Sequence, residues 1–370
     1  MVCHGCYDAP CQLKLDAWAG LHRGASKDIV YDGTRLVAAR PTRLFEDAQT
    51  LEDWRHMGFY PVLDKANPET GVMARMLELK QAHPLPESGT LPKSITLGLD
   101  REQQCTKPEV FDQFARDYPL WGMPYGLPGL DEAEHRTLTD WLARGAPGEP
   151  DAAPTPALSE TVQRWESFFN GGSLKERLMA RYMYEHLFIG NLYFADLAEN
   201  DRYFNLVRSR TPPGEPIDII ATRRPYDDPG EATFYYRLQP LRTAVLSKRH
   251  MPYALNDARM ARWRALFLEP DYEVSALPSY ASSDAANPFV AFRELPENAR
   301  YRFMLEEAQF TIMGFIKGPV CRGQVALNVI DDHFWVVFID PDRNRARQSA
   351  EFLASEGDHL RLPSGKSGLL

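Results

Sequence analysis

At 370 residues the chain is long enough for two domains with substantial cores, and 44% hydrophobic with 25% charged residues is ordinary globular composition. A formal net charge of -9 argues against a nucleic-acid partner, because phosphate binding needs a basic surface. No run of about 18 or more apolar residues marks a transmembrane segment, and no signal peptide opens the chain.

The first eleven residues, MVCHGCYDAPC, hold three of the five cysteines. Cys3-His4 forms the last two letters of C-x-x-C-H, in which two cysteines form thioethers to a c-type haem and the histidine binds its iron. Counting back from Cys3, the other cysteine falls one place before Met1. Cys6 and Cys11 could pair or remain buried thiols, while Cys105 and Cys321 stand alone as small core residues. A zinc or iron–sulfur knuckle on C-x-x-C-x4-C would need a fourth ligand from Cys105 or a histidine.

A first, mainly helical domain is expected over residues 1–146. Helices are predicted over 13–21, 50–57, 71–81 and 107–118, with 33–41 a loop and 42–47 a short turn. Pro108 suits a first helical turn. A Gly-Met-Pro loop around Met123 then precedes an amphipathic helix over 131–145, with acidic residues in its first turn and Gly145 at its end. A methionine in such a loop, ahead of a last amphipathic helix, is the other half of a cytochrome c domain. Met123 is therefore the candidate sixth iron ligand and His4 the fifth.

Residues 147–158 carry four prolines and read as an extended linker. The second domain, 159–370, is read as α+β. Ser159 caps a helix through Phe169, and a longer one is predicted over 173–197. Its aromatics Tyr182, Tyr184, Phe188, Tyr193 and Phe194 read as core, or else as the lining of an acyl-chain groove. Strands are expected at 202–210, 217–224 and 233–239, and helices at 256–267 and 298–316. A hairpin follows over 325–330 and 333–339, then a final helix over 343–355.

No G-x-S-x-G elbow, P-loop or G-x-G-x-x-G turn is present, and the remaining histidines lack ligand spacing. Arg208, Arg210, Arg223, Arg224, Arg237, Arg242 and Arg249 form a basic stretch in an acidic chain. They read as solvated or ion-paired strand faces, or as docking points for lipid phosphates or haem propionates.

Two runs carry a resemblance: Cys3 to Lys14 (CHGCYDAPCQLK), and Phe315 to Asn328 (FIKGPVCRGQVALN) with Phe334-Trp335 beyond it. In these the chain resembles the bacterial fatty acid cis/trans isomerases, over essentially its whole length. Members of that family are considerably longer, so the resemblance implies roughly the N-terminal half of such a protein, with a cysteine immediately before Met1. It implies a periplasmic location, a cleaved signal peptide and haem c attached at C-x-x-C-H. It also implies conversion of cis double bonds to trans in free fatty acids or membrane phospholipids at the membrane surface, a response to membrane stress. By position, Cys3 is then the second haem-attaching cysteine and His4 the proximal ligand; Met123 comes from the general cytochrome c pattern alone.

Rotation about a double bond needs a weakened π bond, and an oxidising haem can weaken it by drawing electron density from the alkene, with no net redox change. His/Met ligation raises the iron potential, which suits an electron acceptor. An apolar slot in the second domain is expected to hold the acyl chain near the haem edge. The competing expectations are an electron-transfer or sensing cytochrome c in the periplasm, and a peroxidase-like oxidoreductase, which lacks its second C-x-x-C-H here.

Overall fold

Proline and glycine punctuation keeps the N-terminal helices short. In the computed structural model, which describes residues 2–7, 9–32, 37–38, 40–97, 103–148, 152–246, 250–317, 336–343, 355–357 and 359–362, α1 spans Trp18–Arg23 and stops at Gly24, whose φ of 87° suits a residue without Cβ. Tyr31–Asp32 (β1) and Val37–Ala38 (β2) pair as a short antiparallel ribbon. The helices α2 (Leu51–His56), α3 (Val72–Ala82), α4 (Phe111–Asp117) and α5 (Glu132–Ala143) follow. Thr50 and Asp131 cap α2 and α5 with reciprocal capping boxes, which satisfy the orphan N–H groups of the first turn. These elements bury a modest cluster that includes Leu21, Tyr60, Val62, Met76, Leu77, Phe111, Phe114 and Leu142.

The helix expected over 13–21 begins only at Trp18. Leu13 and Leu15 have helical spacing, but their backbone is engaged elsewhere. Leu15 N–H donates to the His4 carbonyl at 2.9 Å, and the Leu13 carbonyl faces the His4 ring. Tertiary bonds override the local pattern.

Beyond residue 155 the architecture changes. Helices α6 (Pro156–Phe169) and α7 (Leu174–Leu187) precede β3 (Asn191–Phe194), β4 (Phe204–Ser209), β5 (Tyr235–Pro240) and β6 (Pro252–Leu255). The sheet order is β5-β4-β3-β6; β3 runs parallel to β6 and the other pairs are antiparallel. Helices α8 (Asp257–Phe267), α9 (Ser282–Ala285), α10 (Pro288–Ala291), α11 (Glu297–Glu306) and α12 (Ala308–Lys317) complete the described chain. Described as a whole, the protein is helical with one small mixed sheet.

Several expectations change in this half. The cap of α6 is Thr155, whose hydroxyl accepts from Leu158 N–H, so the extended linker ends four residues earlier than Ser159 implied. The long helix stops at Leu187, because residues 191–194 leave it to pair with both β4 and β6. Residues 217–224 contribute only an isolated bridge, Ser209 to Ile219. Tyr182, Tyr184 and Phe194 are buried in the main core, as the packing reading expects. The 325–339 hairpin and the 343–355 helix lie almost wholly outside the described residues, although 336–339 carry no strand.

The core of this half is a stack of rings. Trp165 and Trp263 meet edge-on at 5.7 Å between centroids, flanked by Phe168, Phe169 and Phe303. No helix among the described residues is long and apolar enough to cross a membrane.

Candidate functional site

His4 closes a short 3-10 turn, Val2–His4, and is half-buried. Its Nδ1 lies 2.9 Å from the Leu13 carbonyl oxygen. A carbonyl only accepts, so the neutral ring carries its proton on Nδ1 and its lone pair on Nε2. A histidine that binds a metal through Nε2 is held in the same way, by a backbone acceptor on the other nitrogen. One residue away, Cys3 is exposed as a free thiol. An oriented imidazole beside an accessible thiol is the donor set that a c-type haem takes from the end of C-x-x-C-H, so the residues present fit that group.

Behind the His4 turn stands a frame that no motif announced. Cys11 and Gln12 both adopt left-handed backbone, at φ 53° and 51°, which costs free energy for residues other than glycine. Cys11 is pinned by a disulfide to Cys105, 94 residues on, and by its N–H to the Gln103 side chain at 2.7 Å. Gln12 donates through Nε2 to the Asp28 carbonyl at 2.9 Å and accepts the Thr42 hydroxyl. Arg23 reaches its guanidinium to the Gln12 carbonyl and, at 2.9 Å, to that of Thr42. This side chain is 1% exposed, and its Cζ sits 5.0 Å from the Trp54 ring and 4.5 Å from that of Phe59. Burial lowers its pKa to about 10, still far above neutrality, so it stays charged. The frame immediately precedes Leu13, whose carbonyl orients His4.

The Cys11–Cys105 bond overturns the expectations of a Cys6–Cys11 pair and of a solitary Cys105; Cys6 is disulfide-bonded as well. Thiols bound in disulfides cannot serve a zinc or iron–sulfur knuckle. Among the described residues no three His, Cys, Asp or Glu side chains gather as a metal site.

Met123 is half-buried between two prolonged contacts of its loop with α3. Its N–H donates to the Met76 carbonyl at 3.0 Å, and at Gly122 a Cβ would fall 2.3 Å from the Lys80 nitrogen, so only glycine permits that approach. Met123, Leu13 and Leu15 pack against the same hydrophobic cluster. Met123 thus borders the core on which Leu13, the residue whose carbonyl holds the His4 ring, also packs.

Most of the basic stretch is absorbed internally. Arg208 is 1% exposed and bonds the Asp227 carbonyl at 2.9 Å and the Thr222 hydroxyl at 2.6 Å. Arg210 pairs with Glu231 at 2.7 Å, Arg224 with Asp227 at 3.7 Å and Arg237 with Glu166 at 2.9 Å. Arg223 and Arg242 are exposed, and Arg249 lies outside the described residues. The buried Glu166–Arg237 pair floors a cleft of about 960 Å³ between residues 152–154 of the linker, α6, the facing ends of β4 and β5, and residues 240–245. One wall is tied to the N-terminal region: Ala244 N–H donates to the Asp16 carbonyl at 2.6 Å.

Residues 39–369 match the family model for fatty acid cis/trans isomerase. Met123 and the cleft lie inside that match, and Cys3 and His4 precede it. Neither the curated proteins nor the solved structures gave a match.

Proposed function

The chain belongs to the fatty acid cis/trans isomerase family and is an isomerase, and from that premise we propose that it converts cis double bonds to trans in free fatty acids or membrane phospholipids, using haem c held by residues 1–146 as a cytochrome c-like domain. The observation that carries the haem reading is the His4 Nδ1 to Leu13 carbonyl contact, which leaves the lone pair on Nε2. Cys3 would anchor the group by a thioether and His4 would bind its iron, with Met123 as the sixth ligand. Bound there, haem c supplies a high-potential electron acceptor that weakens the π bond without net redox change.

The protein's own part is orientation. The Leu13 carbonyl fixes the plane of the imidazole, and the Cys11–Arg23 frame fixes that carbonyl. Two separate hydrophobic clusters, one reaching to Ala146 and the other starting at Leu158, support a division into an N-terminal and a C-terminal domain. Disulfides belong to oxidising compartments, which supports the periplasm as the site of action.

Haem-loaded full-length protein incubated with cis-unsaturated phospholipid should give trans product by gas chromatography. Rapid reduction by a donor with no trans product would favour the electron-transfer alternative. His4→Ala should abolish the low-spin haem spectrum. A Met123→Ala protein that kept the wild-type spectrum would remove Met123 from the ligand set.

A further inference from the structure

We infer that Lys80 is a positioning residue for the haem site: a buried peg around which the Met123 loop is wound, so that the Met123 thioether is presented from a fixed backbone. This rests on the haem reading above. Residues 122–130 pass over the last two turns of α3 and touch Lys80 repeatedly. At Gly122 a Cβ would fall 2.3 Å from the Lys80 nitrogen and 2.7 Å from its Cα, so the loop backbone lies directly on that residue. Met123 N–H donates to the Met76 carbonyl at 3.0 Å, one turn earlier on the helix. Lys80 Nζ reaches under the loop to donate to the Leu127 carbonyl at 3.2 Å. Gly129 lies over the same side chain, where a Cβ would stand 3.8 Å from Lys80 Cγ. The next residue of α3, Gln81, ends the wrap by donating to the Leu130 carbonyl at 3.0 Å.

The loop needs outside support because its own sequence supplies little. Gly122, Gly126 and Gly129 leave the backbone free, and Pro124 and Pro128 lack an N–H to donate. On the outer side, the Tyr125 hydroxyl donates to the Thr96 carbonyl at 3.1 Å. Underneath, the support comes from the helix.

Packing alone does not call for a lysine here. Lys80 is 1% exposed, burial alone acts on its pKa, lowering it, and no carboxylate pairs with it among the described residues. A buried amine without a counter-charge is costly, and a methionine of similar reach would fill this helix face at less cost, as Met76, Leu77 and Leu79 do in the same cluster. What the amine adds is one directed bond, placed four residues beyond Met123. Partners outside the ligand set are what hold a metal ligand in place, and a site that is loose by an ångström binds poorly.

Lys80→Met keeps the stem and removes the donor, while Lys80→Arg keeps a charged donor. In haem-free protein, Lys80→Met should quicken both amide exchange at Met123 and its oxidation to the sulfoxide by dilute peroxide, each about tenfold, the effect of one lost hydrogen bond. In haem-loaded full-length protein, it should weaken the thioether-to-iron charge-transfer band and lower the reduction potential, because methionine ligation raises it. Lys80→Arg should restore both in part. A folded Lys80→Met protein with wild-type exchange, band and potential overturns the inference. So does faster exchange spread evenly over the chain with the potential unmoved, which is the mark of a packing residue only. Should Lys80→Met not fold, Lys80→Gln, which carries a shorter and neutral side chain, takes its place with the same outcomes. If Met123→Ala keeps the wild-type spectrum while Lys80→Met still frees the loop, the ligand reading fails and the peg stands. If Met123→Ala loses the low-spin spectrum and Lys80→Met changes nothing, the ligand reading stands and the peg fails.

Discussion

The two halves of this protein are held together in different ways. Up to residue 148, long polar side chains are folded inward onto backbone carbonyls: Arg23 onto Gln12 and Thr42, Lys80 onto Leu127, Arg55 onto Arg23, and the Trp18 ring nitrogen onto Ala146. From residue 156 onward, the centre is rings packed on rings around Trp165 and Trp263, to which Arg181, Arg208 and Arg237 add directed bonds to carbonyls. Directed bonds lose their value steeply with misalignment, so they fix where a particular carbonyl points. Area burial is indifferent to direction and gives a stable body on which a cleft can be cut. One half is built to aim a few atoms, and the other to carry load.

The largest expected effect breaks the second half at its centre. Trp165 is fully buried among three aromatic neighbours, so Trp165→Ala should cost about 3–5 kcal/mol in urea melts. A loss below about 1 kcal/mol would mean that the ring stack is not what holds this half. Next comes the covalent staple of the first half. Replacing Cys11 and Cys105 together by serine frees a long loop and should cost about 3–4 kcal/mol. Amide exchange should then quicken over residues 9–32 and not over α7, and uniform quickening would contradict a local frame.

A smaller effect distinguishes the halves by pH. Burial lowers the pKa of His186, which lies against Tyr182 with Nδ1 2.7 Å from the Tyr182 carbonyl. The stability it contributes is therefore present above the unfolded value near 6.5 and is lost as pH falls from there towards its lower folded value. Burial raises Glu185, and likewise Glu46, each opposed by a nearby arginine; their contributions run the other way, present at low pH and lost as pH rises through the folded values. Comparing melting temperatures of wild type and His186→Gln at pH 7.5 and 5.5 isolates the histidine: the variant should lose less on acidification. Equal losses would remove His186 from the account. The smallest effect is a cap: Thr50→Ala should destabilise α2 by about 1 kcal/mol, seen as faster exchange confined to its first turn.

Capped helices were legible from the chain. Thr50 and Asp131 sit three residues ahead of a carboxylate, Asn256 begins α8, and Pro108 enters α4 through a 3-10 turn. The Cys3-His4 pair and the Met123 loop were also legible as candidates, because side chains carry them. What held His4 was not. The Leu13 carbonyl has no signature of its own, and the apolar spacing of Leu13 and Leu15 predicts a helix that tertiary bonds prevent. The Cys11–Cys105 pairing joins residues too far apart for spacing to reveal. The parallel partnership of β3 and β6 is equally non-local, so 191–194 reads as the tail of a helix. The cleft draws its walls from four separate stretches, and no window of sequence contains it.

The Cys11–Cys105 bond has a topological consequence. With a separation of 94 residues, it turns the stretch that includes α1 to α3 into a closed ring. A single cut in the backbone anywhere inside that ring leaves the molecule in one covalent piece. Chain continuity and structural continuity are thereby uncoupled over this stretch. It can be opened at an exposed loop, such as the proline-rich turn near Pro86, and its ends carried elsewhere, while the carbonyl that aims His4 stays anchored from both sides.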